Sequence, residues 1–112
     1  MYINPEYEFN EEIYADDILS FIFSEFNKPP YENVFVKNYD YFISNSKQIE
    51  FNPKWNYNPY LASQDLYGNK FYYKLLLHLN PIPSLLFFNK DYLPTLNVLP
   101  ISVIIDFINS RG

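Results

Sequence analysis

The segment from Asn58 to Pro83 constrains this chain more than any other, because it spells out two short helices with both their starts and their stops. Asn58-Pro59 sets a capping side chain directly before a proline at the first helical position, where the missing N–H has no helical partner to lose. A helix from Tyr60 to Tyr67 then meets Gly68, one of only 2 glycines, and glycine takes a left-handed cap with the least strain. A second helix, about Lys70 to Leu79, carries Phe71, Tyr72, Leu75, Leu76 and Leu79 on one face and Tyr73 and Leu77 on the other. Asn80-Pro81-Ile82-Pro83 stops it, since proline cannot continue the backbone ladder. A helix apolar nearly all round is covered on two sides. Its outer face therefore predicts either an arm of the chain or a partner lying over it.

Strand patterns stand on either side of this pair. Lys47-Gln48-Ile49-Glu50-Phe51 alternates polar and apolar, and Thr95-Leu96-Asn97-Val98-Leu99 does the same. Asn52 to Tyr57 reads as a loop and holds the only tryptophan, Trp55. Residues 84–94, with Leu86-Phe87-Phe88, read as irregular. Pro100 opens a last short helix with Ile101, Ile104, Ile105 and Ile108 at helical spacing; a final strand through Ile105 is the competing reading. Residues 31–46 stay ambiguous, because Val34-Phe35-Val36 and Tyr39-Asp40-Tyr41-Phe42-Ile43 hold strand-forming residues that also fit a short helix.

Upstream, Asn4-Pro5 disfavours helix and residues 1–9 read as an extended arm. Asn10 is a good cap, Glu11 and Glu12 suit the positive end of a helix dipole, and Ala15, Ile18, Leu19, Ile22, Phe23 and Phe26 form one helical stripe. Asn27-Lys28-Pro29-Pro30 ends that helix. Up to Asn27 the chain has Glu6, Glu8, Glu11, Glu12, Asp16, Asp17 and Glu25 with no Lys or Arg beside them. Such a run is ordinarily a solvated helix face; its functional reading is docking onto a basic surface. The organisation expected is a 1–38 arm and amphipathic helix followed by a 39–112 domain of α+β class.

With 12 Tyr and 11 Phe among 112 residues, and roughly 150–250 Å² of surface per ring, one core could hardly hide them all. The surplus predicts an interface along the N-terminal helix and around the other aromatic clusters: Ile18, Ile22, Phe23, Phe26, Phe35, Tyr39, Phe42, Trp55, Tyr73, Phe87 and Phe88. The net charge of -5 opposes nucleic-acid binding, which needs clustered Lys and Arg. No signal peptide opens the chain, and the most apolar region, Phe71 to Phe88, is broken by Lys74, His78, Asn80, Pro81 and Pro83, so no membrane span is expected and the chain reads as soluble.

Chemistry-bearing patterns are scarce. There is no Cys, and His78 is the one histidine, more readily a packed or rim residue than a base or metal ligand. No Gly-x-Ser-x-Gly elbow exists, and Gly68 and Gly112 alone cannot form a phosphate-cradling loop. Glu11-Glu12 and Asp16-Asp17 lack the alternation of a calcium loop. The expectation is therefore no catalytic residue, no metal and no cofactor. Trp55, Tyr57 and Tyr60 could stack on a sugar, although packing or a protein interface is the commoner use of such rings.

The run Pro59, Leu61-Ala62, Tyr67-Gly68-Asn69, Tyr72-Tyr73, Leu75 to Leu77 and Asn80 resembles the LysM-like segment of a baseplate wedge protein of contractile-tailed, T-even-like bacteriophages. Tyr39-Asp40-Tyr41-Phe42 echoes an upstream patch of that family, and Leu96 to Ile108 its closing strand and helix. The chain departs from the family in having only about 15 residues between the second helix and the last strand, and no Gly in the Asn52–Tyr57 turn. The resemblance implies a LysM-like βααβ unit with Pro59, Leu61, Tyr67, Gly68, Tyr72, Leu76 and Asn80 determining the fold. It also implies a non-enzymatic virion component, assembled in the host cytoplasm and present in several copies. Its partners would be other baseplate and tail proteins: wedge subunits and hub-proximal or sheath-initiating proteins. Cell-wall-binding LysM modules share the Tyr-Gly…Asn core, so a peptidoglycan-binding module is the alternative. An inhibitor whose acidic helix mimics nucleic acid is a third reading.

Overall fold

The computed structural model describes residues 15–111, with the side chains of residues 17–110. The expected arm over residues 1–9 and the Asn10 cap lie outside the described residues. In chain order the elements are α1 (Ala15–Phe26), α2 (Val34–Lys37), α3 (Tyr39–Ser44), β1 (Lys47–Glu50), α4 (Pro59–Tyr67), α5 (Tyr73–Leu79), β2 (Thr95–Val98) and α6 (Ile101–Arg111). Short 3-10 turns lie at Pro30–Glu32, Pro53–Trp55, Lys70–Tyr72 and Leu85–Phe87. The class is α+β.

The helix pair follows from its local signals. Asn58 accepts the Leu61 N–H at 3.2 Å, Pro59 occupies the first turn of α4, and Gly68 closes it at φ 74°. The Ser63 hydroxyl, buried, donates to the Asn69 carbonyl at 2.5 Å and accepts the Tyr72 N–H at 3.1 Å, which folds the second helix tightly back on the first. β1 and β2 pair antiparallel with Lys47 opposite Val98 and Glu50 opposite Thr95, giving the order β1–α4–α5–β2. Leu96 and Val98 alternate inward on β2, as the strand pattern requires.

Asn80 fastens these parts together. Its side-chain amide donates to the Leu76 carbonyl at the end of α5 and to the Asn97 carbonyl in β2, and its side-chain oxygen accepts the Asn97 N–H at 2.8 Å. Tyr67, buried at the end of α4, donates its hydroxyl to the Leu99 carbonyl at 2.8 Å and so ties α4 to the chain after β2.

The ambiguous stretch 31–46 resolves as helix. Asn33 caps α2 by accepting the Phe35 N–H at 2.8 Å, and Asn38 separates α2 from α3, so the β-branched residues there have no strand to join. The competing strand through Ile105 is likewise replaced by α6, whose Ile101 and Ile104 are fully buried. α1 ends at Phe26, before the two prolines. Glu25 departs from the solvated acidic face expected of α1. It is buried, accepting the Val34 N–H at 3.0 Å with one oxygen and pairing with the Lys28 ammonium at 2.7 Å with the other. α1 and α2 are thereby joined through a charged hydrogen bond, and Ile18, Ile22, Val34 and Phe35 enter the same core as the helix pair and β2.

Two outcomes are expected. Asn80→Ala leaves the Asn97 backbone pair without partners inside the protein and lowers unfolding free energy by about 2–3 kcal/mol in urea titration. Burial pushes the Tyr67 phenol far above its ordinary pKa, so the folded state keeps its proton where the unfolded chain releases it. That contribution is whole below the unfolded value near 10 and declines as pH rises beyond it, by about 1.4 kcal/mol per unit. Urea midpoints from pH 9 to 11 should fall more steeply for the natural chain than for Tyr67→Phe.

Candidate interaction surface

Most of the aromatic surplus is internal. Phe35 lies between Phe26, stacked at 5.3 Å, and Phe42 at 5.0 Å, while Phe42 also meets Phe107 of α6 at 4.9 Å. Phe51 packs edge-on against both Trp55 and Phe88. The expectation that Ile18, Ile22, Phe35, Phe42, Trp55 and Phe88 meet partners is therefore corrected: each is buried by the chain itself. The reason is that α1 has a home. Its stripe covers α2, the Lys70–Tyr72 turn and α6, and the two short helices of the 31–46 stretch bring Phe35 and Phe42 beneath it. Trp55 has no face for a ligand, since its indole N–H donates to Asp65 at 2.7 Å and Lys54 pairs with the same carboxylate oxygen at 3.0 Å.

Phe23, Phe26, Tyr39 and Tyr73 are half-buried and Phe87 is exposed. Phe23 and Phe26 are occupied by internal ring contacts with Phe71, Phe35 and His78. Tyr39 lines an open groove of about 550 Å³ with Leu77, His78, Pro81, Ile82, Ser84 and Leu85. This groove runs along the outer face of α5, where the sequence calls for a cover. His78 forms its floor rather than a reactive edge. Its Nε2 lies 3.0 Å from the Phe35 carbonyl, which can only accept, so Nε2 is the donor in this contact. Phe26 and Tyr39 meet the ring edge-on at 5.5 Å on either side.

Beyond the groove the Leu85–Phe87 turn stands out from the fold. Ser84 caps it by accepting the Leu86 N–H, leaving Leu86 75% exposed beside Leu85, Phe87 and Tyr92. Phe87 and Tyr92 hold each other at 4.9 Å. Sequence reasoning missed Leu85, Leu86 and Tyr92; four apolar residues between two prolines and an Asn, with no helical or strand period, were the available signal. Phe71 was expected on the inner face of the second helix and is 44% exposed. Asn69 caps a 3-10 turn there by accepting the Phe71 N–H, and the tighter winding rotates Phe71 outward while Tyr72 stays inside.

The connection leaving β1 and the one entering β2 are stitched together. The Tyr57 N–H donates to the Phe88 carbonyl at 2.6 Å, the Lys90 N–H donates to Asn56, and the Lys90 ammonium reaches the Phe51 carbonyl. Tyr57 adopts φ 62°, unusual for a bulky residue, with its side chain 60% exposed. The fold-determining set is placed as follows: Tyr67, Tyr72, Leu76 and Asn80 are buried, Pro59 and Gly68 bound α4, and Leu61 is half-buried against the core. Among the described residues no cluster of three or more His, Cys, Asp or Glu could hold a metal ion, and no helix is long and apolar enough to cross a membrane.

The contrast between Leu86 and Phe88 is directly measurable. Leu86→Ser should change unfolding free energy by no more than about 0.5 kcal/mol, whereas Phe88→Ala should cost about 3–5 kcal/mol. In comparisons with known protein families, with characterised proteins and with solved structures, the chain has no match.

Proposed function

We propose that this protein is a non-enzymatic assembly subunit of a contractile phage tail, joining neighbouring wedge subunits of the baseplate around the hub. The observation that carries this reading is the exposed apolar turn Leu85–Phe87 with Tyr92, continuous through Leu85 with the groove on α5. Soluble chains seldom hold such a cluster without a use for it, and large obligate interfaces are apolar in the same way. The β1–α4–α5–β2 order is compatible with the LysM-like unit that the resemblance implies. The partners are other tail proteins, and the protein acts by burying aromatic surface rather than by chemistry.

A second reading, a LysM-type glycan-binding module, is favoured by Tyr57. Its exposed ring stands where the two connections meet, at a strained backbone position of the kind that collects at functional sites. Retention on peptidoglycan that Tyr57→Ala abolishes would favour this module over the assembly subunit.

The assembly reading is tested by titrating the purified protein against purified wedge subunits and hub-proximal or sheath-initiating tail proteins. Binding is expected, and Leu86→Ser with Phe87→Ser should weaken it by roughly ten- to a hundredfold while leaving the thermal midpoint in place. A stably folded chain that binds none of these proteins would sink the idea.

A further inference from the structure

The Leu85–Phe87 turn and the groove on α5 adjoin each other, one a protrusion and the other a hollow. Leu85 lines the groove with Tyr39, Leu77, His78, Pro81 and Ile82, while Leu86, next along, is no part of that lining. The turn is pinned at both ends. The Ser84 hydroxyl accepts the Leu86 N–H at 3.3 Å, the Ser84 carbonyl accepts the Phe87 N–H at 3.0 Å, and Phe88 is fully buried against Phe51. Phe87 is held in addition by its ring contact with Tyr92. A turn fixed in this way does not fold back into the groove of its own chain.

Size and charge decide what fits the groove. It measures about 550 Å³, and a benzene-sized ring fills a cavity on the order of 150 Å³, so two apolar side chains have room. Neither its described lining nor the turn from Ser84 to Phe87 contains Asp, Glu, Lys or Arg, and His78 turns its Nε2 to the Phe35 carbonyl. With a net charge of -5, two copies repel each other, and an uncharged face is where they meet without desolvating like charges.

Area decides the arrangement. Leu85, Leu86, Phe87 and Tyr92 are 47%, 75%, 39% and 49% exposed. On a scale of roughly 150–250 Å² per large side chain, they present about 300–500 Å² between them. Docked once into a groove that loses a like area, the turn buries about 600–1,000 Å² in total, short of what a specific interface needs. Docked twice, each turn in the other's groove about a two-fold axis, it buries about 1,200–2,000 Å², the range of stable complexes. A second copy brings both halves of that contact.

We propose that the Leu85–Phe87 turn docks in the α5 groove of a second copy of this chain, reciprocally about a two-fold axis. Leu86 and Phe87 of each copy lie on Tyr39, Leu77 and Ile82 of the other. This rests on reading the turn as an assembly surface, and it makes the assembling unit a pair of chains.

Sedimentation velocity of the full chain across concentration and salt tests the pair. A dimer is expected that holds or tightens as salt rises, because salt screens the repulsion between two acidic copies. Leu86→Ser with Phe87→Ser on the turn, and separately Ile82→Lys in the groove, should each weaken it by about tenfold or more, with circular dichroism reporting the fold of each. Cross-linking keeps the test open if the groove variant unfolds. The chain has no cysteine, and Leu86 and Pro81 are both exposed, so Leu86→Cys and Pro81→Cys introduce the only thiols. Mixed, they should form the unlike disulfide faster than either forms its like one. A chain monomeric at every concentration would overturn the proposal and leave the groove to another segment or to a tail protein. A dimer that dissolves as salt rises, a dimer that the turn variant or a folded groove variant leaves unchanged, or like cross-links that outrun the unlike one would overturn it as well. Binding of tail proteins separates the two readings. Binding by a monomeric groove variant leaves the assembly role standing on its own, whereas a dimer that binds no tail protein overturns that role and leaves the pair.

Discussion

A two-stranded sheet with four residues in each strand does not hold itself together in water. What keeps β2 in register is the Asn80 side-chain amide, which satisfies the end of α5 and both backbone groups of Asn97 at once. Because these groups are largely removed from solvent, each hydrogen bond is worth more made than broken, and the penalty for losing one is the desolvation of its partner. Everything that depends on the helix-to-strand angle depends on this residue. That includes the inward aim of Leu96 and Val98, the reach of Tyr67 to Leu99, and the starting direction of α6.

Around that frame the chain replaces long elements with polar fasteners on short ones. Asn33, Asn52, Asn58, Asn69 and Ser84 each accept a backbone N–H at the start of a helix or 3-10 turn. Such caps shorten helices without leaving donors unpaired. Glu25 does the same job between α1 and α2 with a buried charge, which its two partners make tolerable. The core can then be filled by rings at many angles, because short elements leave irregular gaps that flat aromatic side chains fill edge to face.

The surface reflects what the core could not absorb. At two of the capped 3-10 turns, Leu85–Phe87 and Lys70–Tyr72, apolar side chains remain outside: Leu85, Leu86 and Phe87 at the first and Phe71 at the second, while Tyr72 turns inward. Leu85 lines the groove on the outer side of α5, and the Lys70 ammonium lies over the exposed Phe71 ring. An assembly surface on this side is thus consistent with both its apolar and its charged content.

The sequence by itself determined the elements whose signals are local: the Asn58-Pro59 start, the Gly68 stop, the proline stops after Phe26 and Leu79, and the alternation of both strands. Capping, proline geometry and periodicity act within a few residues, so one chain read linearly contains them. It did not determine which rings are inside. Phe35, Phe42 and Phe88 resemble Phe71, Phe87 and Tyr92 in composition and local pattern, and only the tertiary structure buried the first three, Phe35 against α1, Phe42 against α6 and Phe88 against Phe51. Burial is a sum over residues distant in the chain, and no local pattern records that sum. Of the surface expected to meet partners, Ile18, Ile22, Phe35, Phe42 and Phe88 are consequently inside, while Phe87 in the turn beyond α5 stays exposed.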